Sequence, residues 1–216
     1  MAQIITIAHQ KGGVGKSTLS LNLAYVFKNG LSVGICDTDS QGSLSNLQLN
    51  EEGIDIISMP QEIKSLRNLP YEIIIIDTPP YLTNKLQALF AISDFILIPT
   101  KAGFLDFMAI QTTIHLLKES IKLNPNLKAA IVFNMIKKST KVESEIRTLL
   151  ADSEIPILKT VITERVSYTR SIITGGILKS NDPIAKQEIL SLADEDRKST
   201  RLNSSHRNTS RMPSSA

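Results

Sequence analysis

The sequence predicts a three-layer α/β domain, with a mostly parallel central sheet and helices on both faces. Two observations carry this. Short runs rich in Ile and Val recur along the chain without polar alternation, as strands buried on both faces do. Segments of helical spacing separate those runs, so strand and helix alternate and the connections are right-handed crossovers. A chain of 216 residues suits one such domain with a substantial core.

The strands are expected at 3–8, 32–37, 54–58, 72–77, 94–98 and 129–133. The first helix should span 16–28 and stop at Asn29-Gly30, a good C-terminal cap. Helical spacing returns over 82–92, 104–122 and 140–152. Asn181-Asp182-Pro183 starts a last helix, with a capping residue followed by a proline in the first turn. Neither an internal repeat nor a linker divides the chain.

At 42% hydrophobic and 21% charged residues the composition is that of a globular protein. No apolar run approaches the roughly 20 residues that cross a bilayer; Phe95-Ile96-Leu97-Ile98 is bounded by Asp94 and Pro99. Ile4-Ile5-Thr6-Ile7 follows the start with no basic region before it, so no signal peptide is expected and the cytoplasm is the natural compartment. Cys36 is the single cysteine and lies in an apolar stretch. That excludes an intrachain disulfide, a cysteine zinc site and an iron–sulfur cluster within one chain.

The formal charge of +3 conceals two populations. Residues 197–216 carry five basic residues and no acid, and without them 19 basic residues face 21 acidic ones. This segment is rich in Ser, Asn and Arg and has no period, so the domain is expected over 1–196, followed by a disordered basic tail over 197–216. The tail reads either as an arm that grips nucleic acid or, in better accord with its composition, as foreign sequence. Within the domain the positive excess falls late: residues 118–186 hold 12 basic residues against 7 acidic.

The segment "HQKGGVGKST", His9 to Thr18, lies between a buried strand and a helix, the context a phosphate-binding loop requires. Gly12, Gly13 and Gly15 let backbone N–H groups converge where a Cβ would obstruct, and the helix beginning near Lys16 adds its positive end. Lys16 is expected to reach the β- and γ-phosphates, with Ser17 on Mg²⁺. The common G-x-x-x-x-G-K-[ST] pattern is not met, because Gln10 stands at its first glycine and Lys11 is a second lysine.

This loop resembles the deviant K-G-G-x-G-K-[ST] of the ParA/MinD family of ATPases, and the resemblance extends over nearly all of residues 2–195. It implies a P-loop NTPase fold and ATP with Mg²⁺ as cofactors, bound by Gly12, Gly13, Val14, Gly15, Lys16, Ser17 and Thr18. It also implies that Lys11 crosses a dimer interface to the partner's phosphates. That would make dimerisation sensitive to ATP, since two facing phosphate clusters repel unless cations lie between them. "CDTDSQGSLSNL", Cys36 to Leu47, is similar to the family's D-x-D-P-Q-G segment, with Ser40 in place of proline. There Asp37 works near Mg²⁺ and Asp39 positions the attacking water; turn-making is the plain alternative for both. "IIIIDTPP" resembles a Walker B strand whose Asp77 binds Mg²⁺. "IPTKAGFLDF" resembles a segment near the family's dimer interface, which gives Asp106 two readings, partner contact or helix capping. Asn134 stands where the family reads adenine, but Met135 replaces the arginine common beside it.

"TVITERVSYTRSIITGG", Thr160 to Gly176, is most like small plasmid-partition ATPases. Those bind nonspecific DNA as ATP dimers and release it when a centromere-bound partner stimulates hydrolysis. Carried over, this implies an ATP-dependent homodimer, a nucleoid-associated location, a ParB-like partner and slow intrinsic hydrolysis. Lys137, Lys138, Lys141, Arg165 and Arg170 are the candidate DNA contacts, each alternatively a solvated surface charge. Tyr168 would stack on DNA or pack in the fold. The competing reading is a relative that positions a non-DNA or membrane-associated cargo. A membrane ATPase would need a basic amphipathic C-terminal helix, and Asp194-Glu195-Asp196 is acidic.

Overall fold

The computed structural model describes residues 1–38, 44, 53–81, 84–137 and 141–201. Seven strands form one sheet: β1 (Gln3–Ile7), β2 (Val33–Asp37), β3 (Asp55–Ile57), β4 (Ile73–Asp77), β5 (Phe95–Thr100), β6 (Lys128–Ile136) and β7 (Ile157–Thr163). Their order is β3-β2-β4-β1-β5-β6-β7, and each recorded pairing is parallel. The helices are α1 (Lys16–Phe27), α2 (Asn84–Ile92), α3 (Phe104–Leu123), α4 (Lys141–Ala151), α5 (Val166–Ser171) and α6 (Pro183–Arg201). Two 3-10 turns, Ile63–Asn68 and Ile177–Lys179, complete the described elements.

The apolar runs lack alternation because successive side chains enter two different cores. Ile5, Ile7, Ile73, Ile75, Phe95, Leu97, Ala130 and Val132 pack with α1 and α6. On the opposite face Ile96, Ile98, Ile131 and Phe133 pack with α2, α3 and α4, while Ile4, Ile74 and Ile76 meet Leu66 and Leu89. A strand covered on both sides favours apolar residues throughout, and where a polar one is buried, as at Thr6, it is hydrogen-bonded, here to Ser93 at 2.6 Å. Cys36 lies wholly in this core.

Parallel strands place all their C-terminal ends on one edge. The loop after β1 sits there at mid-sheet, beside the ends of β4 and β5, where ligands of open α/β sheets bind. At the other edge Arg67 closes the fold, donating to both Asp94 oxygens at 3.0 and 3.1 Å and to the Ile92 carbonyl.

Three features depart from the sequence expectation. β7 is an edge strand interrupted by Lys159 and Thr160, so it lacks the apolar signature of its buried neighbours. α5 is too short to show a helical period. α6 continues past the expected domain end at residue 196, which makes the backbone of 197–201 helical. Residues 202–216 of the expected tail lie outside the described residues.

Candidate functional site

β1 delivers the chain into a loop whose geometry demands glycine. Gly13 and Gly15 have φ of 69° and 86°, in the left-handed region that penalises a Cβ. A Cβ on Gly15 would also collide with the Asn134 amide. α1 then begins at Lys16, with its amide groups directed into a cavity of about 280 Å³. Gly12, Gly13, Gly15, Lys16, Ser17 and Thr18 line this cavity, with Thr78, Pro80 and Met135 opposite. Lys16 is buried, and its Nζ donates to the Lys11 carbonyl at 3.2 Å, which curls the amine back over the loop. Val14 is also buried; its side chain anchors the loop from beneath.

Asp77 ends β4 in register with Asp37 at the end of β2 and Ile7 at the end of β1. Its Oδ1 accepts from Ser20 Oγ at 3.1 Å. Oδ2 is buried with no hydrogen-bond partner among the described residues. Burial pushes the Asp77 carboxyl up to about 7, against the opposing pull of Ser17 and Ser20. Such a group is costly in isolation and suited to a divalent cation. A hydroxyl at Ser17, a second carboxylate at Asp37 and this orphaned oxygen fit the hard oxygen donors that Mg²⁺ prefers. Asp37 Oδ2 meanwhile accepts the Leu44 amide at 3.0 Å. Asp39 and Lys138 lie outside the described residues.

The two loop lysines point different ways. Lys11 does not line the phosphate cavity; its Nζ meets Asp106 Oδ1 at 2.7 Å in the first turn of α3. Asp106 makes no side-chain cap to α3, so the capping alternative gives way to an ion pair within the subunit. Around it α3 exposes Phe104 (64%), Leu105 (75%) and Met108 (55%), a contiguous apolar turn beside the lysine.

His9 was not singled out by its residue type, yet it shapes the loop. Its Nδ1 accepts the Lys11 amide at 2.8 Å. Burial, followed by the charge of Lys16, holds its imidazole down to about 4, so the neutral ring acts as acceptor throughout the physiological range. Its one sequence signal is its place two residues before Lys11, at the end of the first apolar run.

Two of the expected site residues make contacts within the subunit. Asn134 is buried, its Nδ2 donates to the Val14 carbonyl at 2.7 Å, and its Oδ1 accepts the Met135 amide at 2.9 Å. It buttresses the loop from β6, and the strain of this junction shows in Met135, whose φ is 55°. Arg165 does not present an open charge. Its NH1 reaches both Asp182 oxygens at 3.2 and 3.1 Å, its Nε donates to Thr163 Oγ1 at 2.8 Å, and Glu188 lies 4.0 Å away. These carboxylates neutralise the guanidinium inside the subunit. Tyr168 packs, as one of its two readings held: it is buried and donates to the Ala185 carbonyl and to Glu188.

The other described basic candidates, Lys137, Lys141 and Arg170, follow the C-terminal ends of β6 and β7 in the chain. Ile136 pairs with Thr163, so the chain leaves β6 and β7 side by side. Lys137 is 82% exposed, with Glu164 at 3.8 Å, and Lys141 and Arg170 are exposed at the start of α4 and the end of α5. No helix among the described residues is long and apolar enough to cross a membrane.

With this geometry in place, residues 5–177 match the family model of the CobQ/CobB/MinD/ParA nucleotide binding domain. The chain is similar to the maintenance of carboxysome distribution protein A of Halothiobacillus neapolitanus, 29% identical over 79% of this chain and 84% of that protein. It is similar to the chromosome-partitioning ATPase Soj of Thermus thermophilus, 26% identical over 83% and 88%. Its fold superimposes on a putative plasmid partition protein of Borrelia burgdorferi bound to AMPPNP, with a TM-score of 0.71 at 22% identity, over 92% of this chain and 100% of that one.

Proposed function

This chain belongs to the CobQ/CobB/MinD/ParA nucleotide-binding family, and from that premise we propose that it is a partition-type Mg-ATPase switch. ATP drives two copies into a dimer that binds DNA without sequence preference, and a ParB-like partner stimulates hydrolysis to release it. The direction of Lys11 carries this reading. The phosphate cavity already contains Lys16, while Lys11 turns away from it to the buried Asp106 next to an exposed apolar turn, which leaves a second cation within reach of a neighbouring subunit.

Within one subunit, the loop amides and Lys16 hold the β- and γ-phosphates, and Ser17, Asp37 and Asp77 hold Mg²⁺, directly or through water. Bound there, Mg²⁺ neutralises charge that builds on the phosphates during transfer to water. Lys16 leaves the Lys11 carbonyl to meet phosphate, and Lys11 leaves Asp106 to reach the facing subunit. Asp39 orients the attacking water. Since the reaction needs positioning more than covalent chemistry, incomplete charge neutralisation in the absence of a partner makes intrinsic turnover slow.

Likeness to a carboxysome distribution protein favours a second reading of the cargo alone. In it the same switch tracks the nucleoid but positions a protein assembly rather than DNA.

The test is duplex DNA binding by the full chain with ATP, ADP or no nucleotide, at two salt concentrations, alongside Lys11→Ala. Salt-sensitive binding with ATP only, lost in Lys11→Ala while ATP still binds, is the expected result. Dimerisation with ATP and no DNA binding would overturn the DNA-tethered reading. Co-purification with a small DNA-binding protein or with a protein shell component then separates the two cargoes.

A further inference from the structure

Asn22 lies in the middle of α1 and is wholly buried. Asparagine is a poor helix former, and a buried amide is unfavourable unless its hydrogen bonds are made. Here they are made to elements far along the chain. Nδ2 donates to the Thr18 carbonyl and to Ser171 Oγ, both at 2.8 Å, and Oδ1 accepts the Ile177 amide at 2.7 Å. Ser171 Oγ passes the chain on, donating to the Tyr168 carbonyl at 2.7 Å.

One end of this network is the phosphate site, because Thr18 lines the cavity one helical turn before Asn22. The other end is the segment from α5 to the 3-10 turn at Ile177, which carries exposed Arg170. That segment bends at Gly175 and Gly176, with φ of 73° and 91°. Gly176 lies against the Tyr25 ring of α1 so closely that a Cβ would collide with it. A short helix on a glycine bend, held to the phosphate-site helix by the Asn22 hydrogen bonds and the Tyr25 contact, moves with that helix. A leucine at position 22 would fill the space but leave the Ile177 amide without its acceptor.

We infer that Asn22 is a positioning residue that transmits the nucleotide state of the phosphate loop to the α5 surface, setting Arg170 for contact with a phosphate backbone. This rests on the DNA-binding reading above for its output, but not for the coupling itself. Closure of the loop on phosphates shifts the first turn of α1. Asn22, whose bonds lie at 2.7–2.8 Å with no slack, carries the shift into Ser171 and Ile177.

Amide hydrogen exchange over residues 166–180, with and without ATP, tests this in the full chain, its Asn22→Ala variant and its Ser171→Ala variant. ATP affinity and duplex DNA affinity are measured in the same samples. The wild type should show an ATP response at 171–177, and ATP should tighten DNA binding by a factor in the typical coupling range of about 5- to 150-fold. Both variants should keep ATP affinity within about threefold and lose most of that coupling, with the exchange response at 171–177 lost too. Ser171→Ala removes the bond from Asn22 and the local bond to the Tyr168 carbonyl but keeps the Asn22 amide on Thr18 and Ile177, and it decides the matter if Asn22→Ala fails to fold. An unresponsive segment in the wild type, or full coupling in Ser171→Ala, overturns the inference. If the segment responds to ATP in the wild type alone while no DNA is bound, the coupling stands and the DNA reading falls.

Discussion

At the scale of single residues, Asp77 joins function to stability with opposite signs. Its carboxyl, near 3.8 in the unfolded chain, is raised to about 7 in the fold by burial. The folded chain therefore holds the proton more tightly between those values. The stabilisation is complete below pH 3.8 and is lost as pH rises towards 7. Without Mg²⁺ and nucleotide, Asp77→Asn should melt above the wild type, with a gap that widens from pH 4 to pH 7 and then levels. The same variant should have no Mg²⁺-dependent ATPase activity. A gap that narrows with rising pH would contradict this assignment of the charge. Asp106→Asn tests the other carboxylate. Freed from its pair, Lys11 should be available at lower protein concentration, shifting the ATP-dependent monomer–dimer midpoint down by about two- to fivefold in sedimentation. A midpoint moved upwards would mean that Asp106 serves the interface more than it restrains the lysine. Asn134→Ala, which leaves the buried Val14 carbonyl unpaired, should weaken ATP and GTP binding alike by about tenfold, the cost of one such bond. An altered ATP-to-GTP ratio would assign base reading to this residue.

Elements show where the amino-acid pattern was legible and where it was not. Six strand runs and the long helices could be read because burial on both faces imposes unbroken apolar character and amphipathic packing imposes a period of 3.6. β7 was missed because an edge strand meets fewer partners; Glu195 and Glu188 from α6 bind its backbone amides at Thr160 and Thr163. The phosphate loop was legible from glycine, lysine and serine spacing, since its geometry is local. Arg165 was assigned from its neighbourhood in sequence, and only the return of the chain at Asp182 reveals its pairing. Asp182 caps α6 through the Ala185 amide and also binds Arg165 and Ser167. Asp182→Ala should accordingly cost about 1–3 kcal/mol in chemical denaturation, as the loss of a cap and a paired arginine does. A cost under about 0.5 kcal/mol, ordinary for surface positions, would show that the network adds little.

For the whole molecule, the proposed DNA binding is tested through its exposed charges. Lys137, Lys141 and Arg170 are exposed in the segments that follow β6 and β7, and the proposed dimer would present them twice. DNA affinity of the ATP form should fall linearly with the logarithm of salt, and each alanine variant should reduce the slope by about 1 for each phosphate contact removed. An unchanged slope in all three would place the contact surface elsewhere on the fold.

The sequence by itself determined the layered parallel sheet, the phosphate loop and the two strand-end carboxylates Asp37 and Asp77, because each rests on local spacing or on a hydrophobic run. Only the tertiary structure decided what the charged and polar side chains do. Lys11 meets a carboxylate 95 residues away, and Asn22 meets groups 149 and 155 residues away. A parallel sheet forces such meetings by returning every strand to the same edge through a long crossover, so the partner of a polar group is set by strand order. Strand order is a property of the assembled sheet, and no local stretch of sequence encodes it.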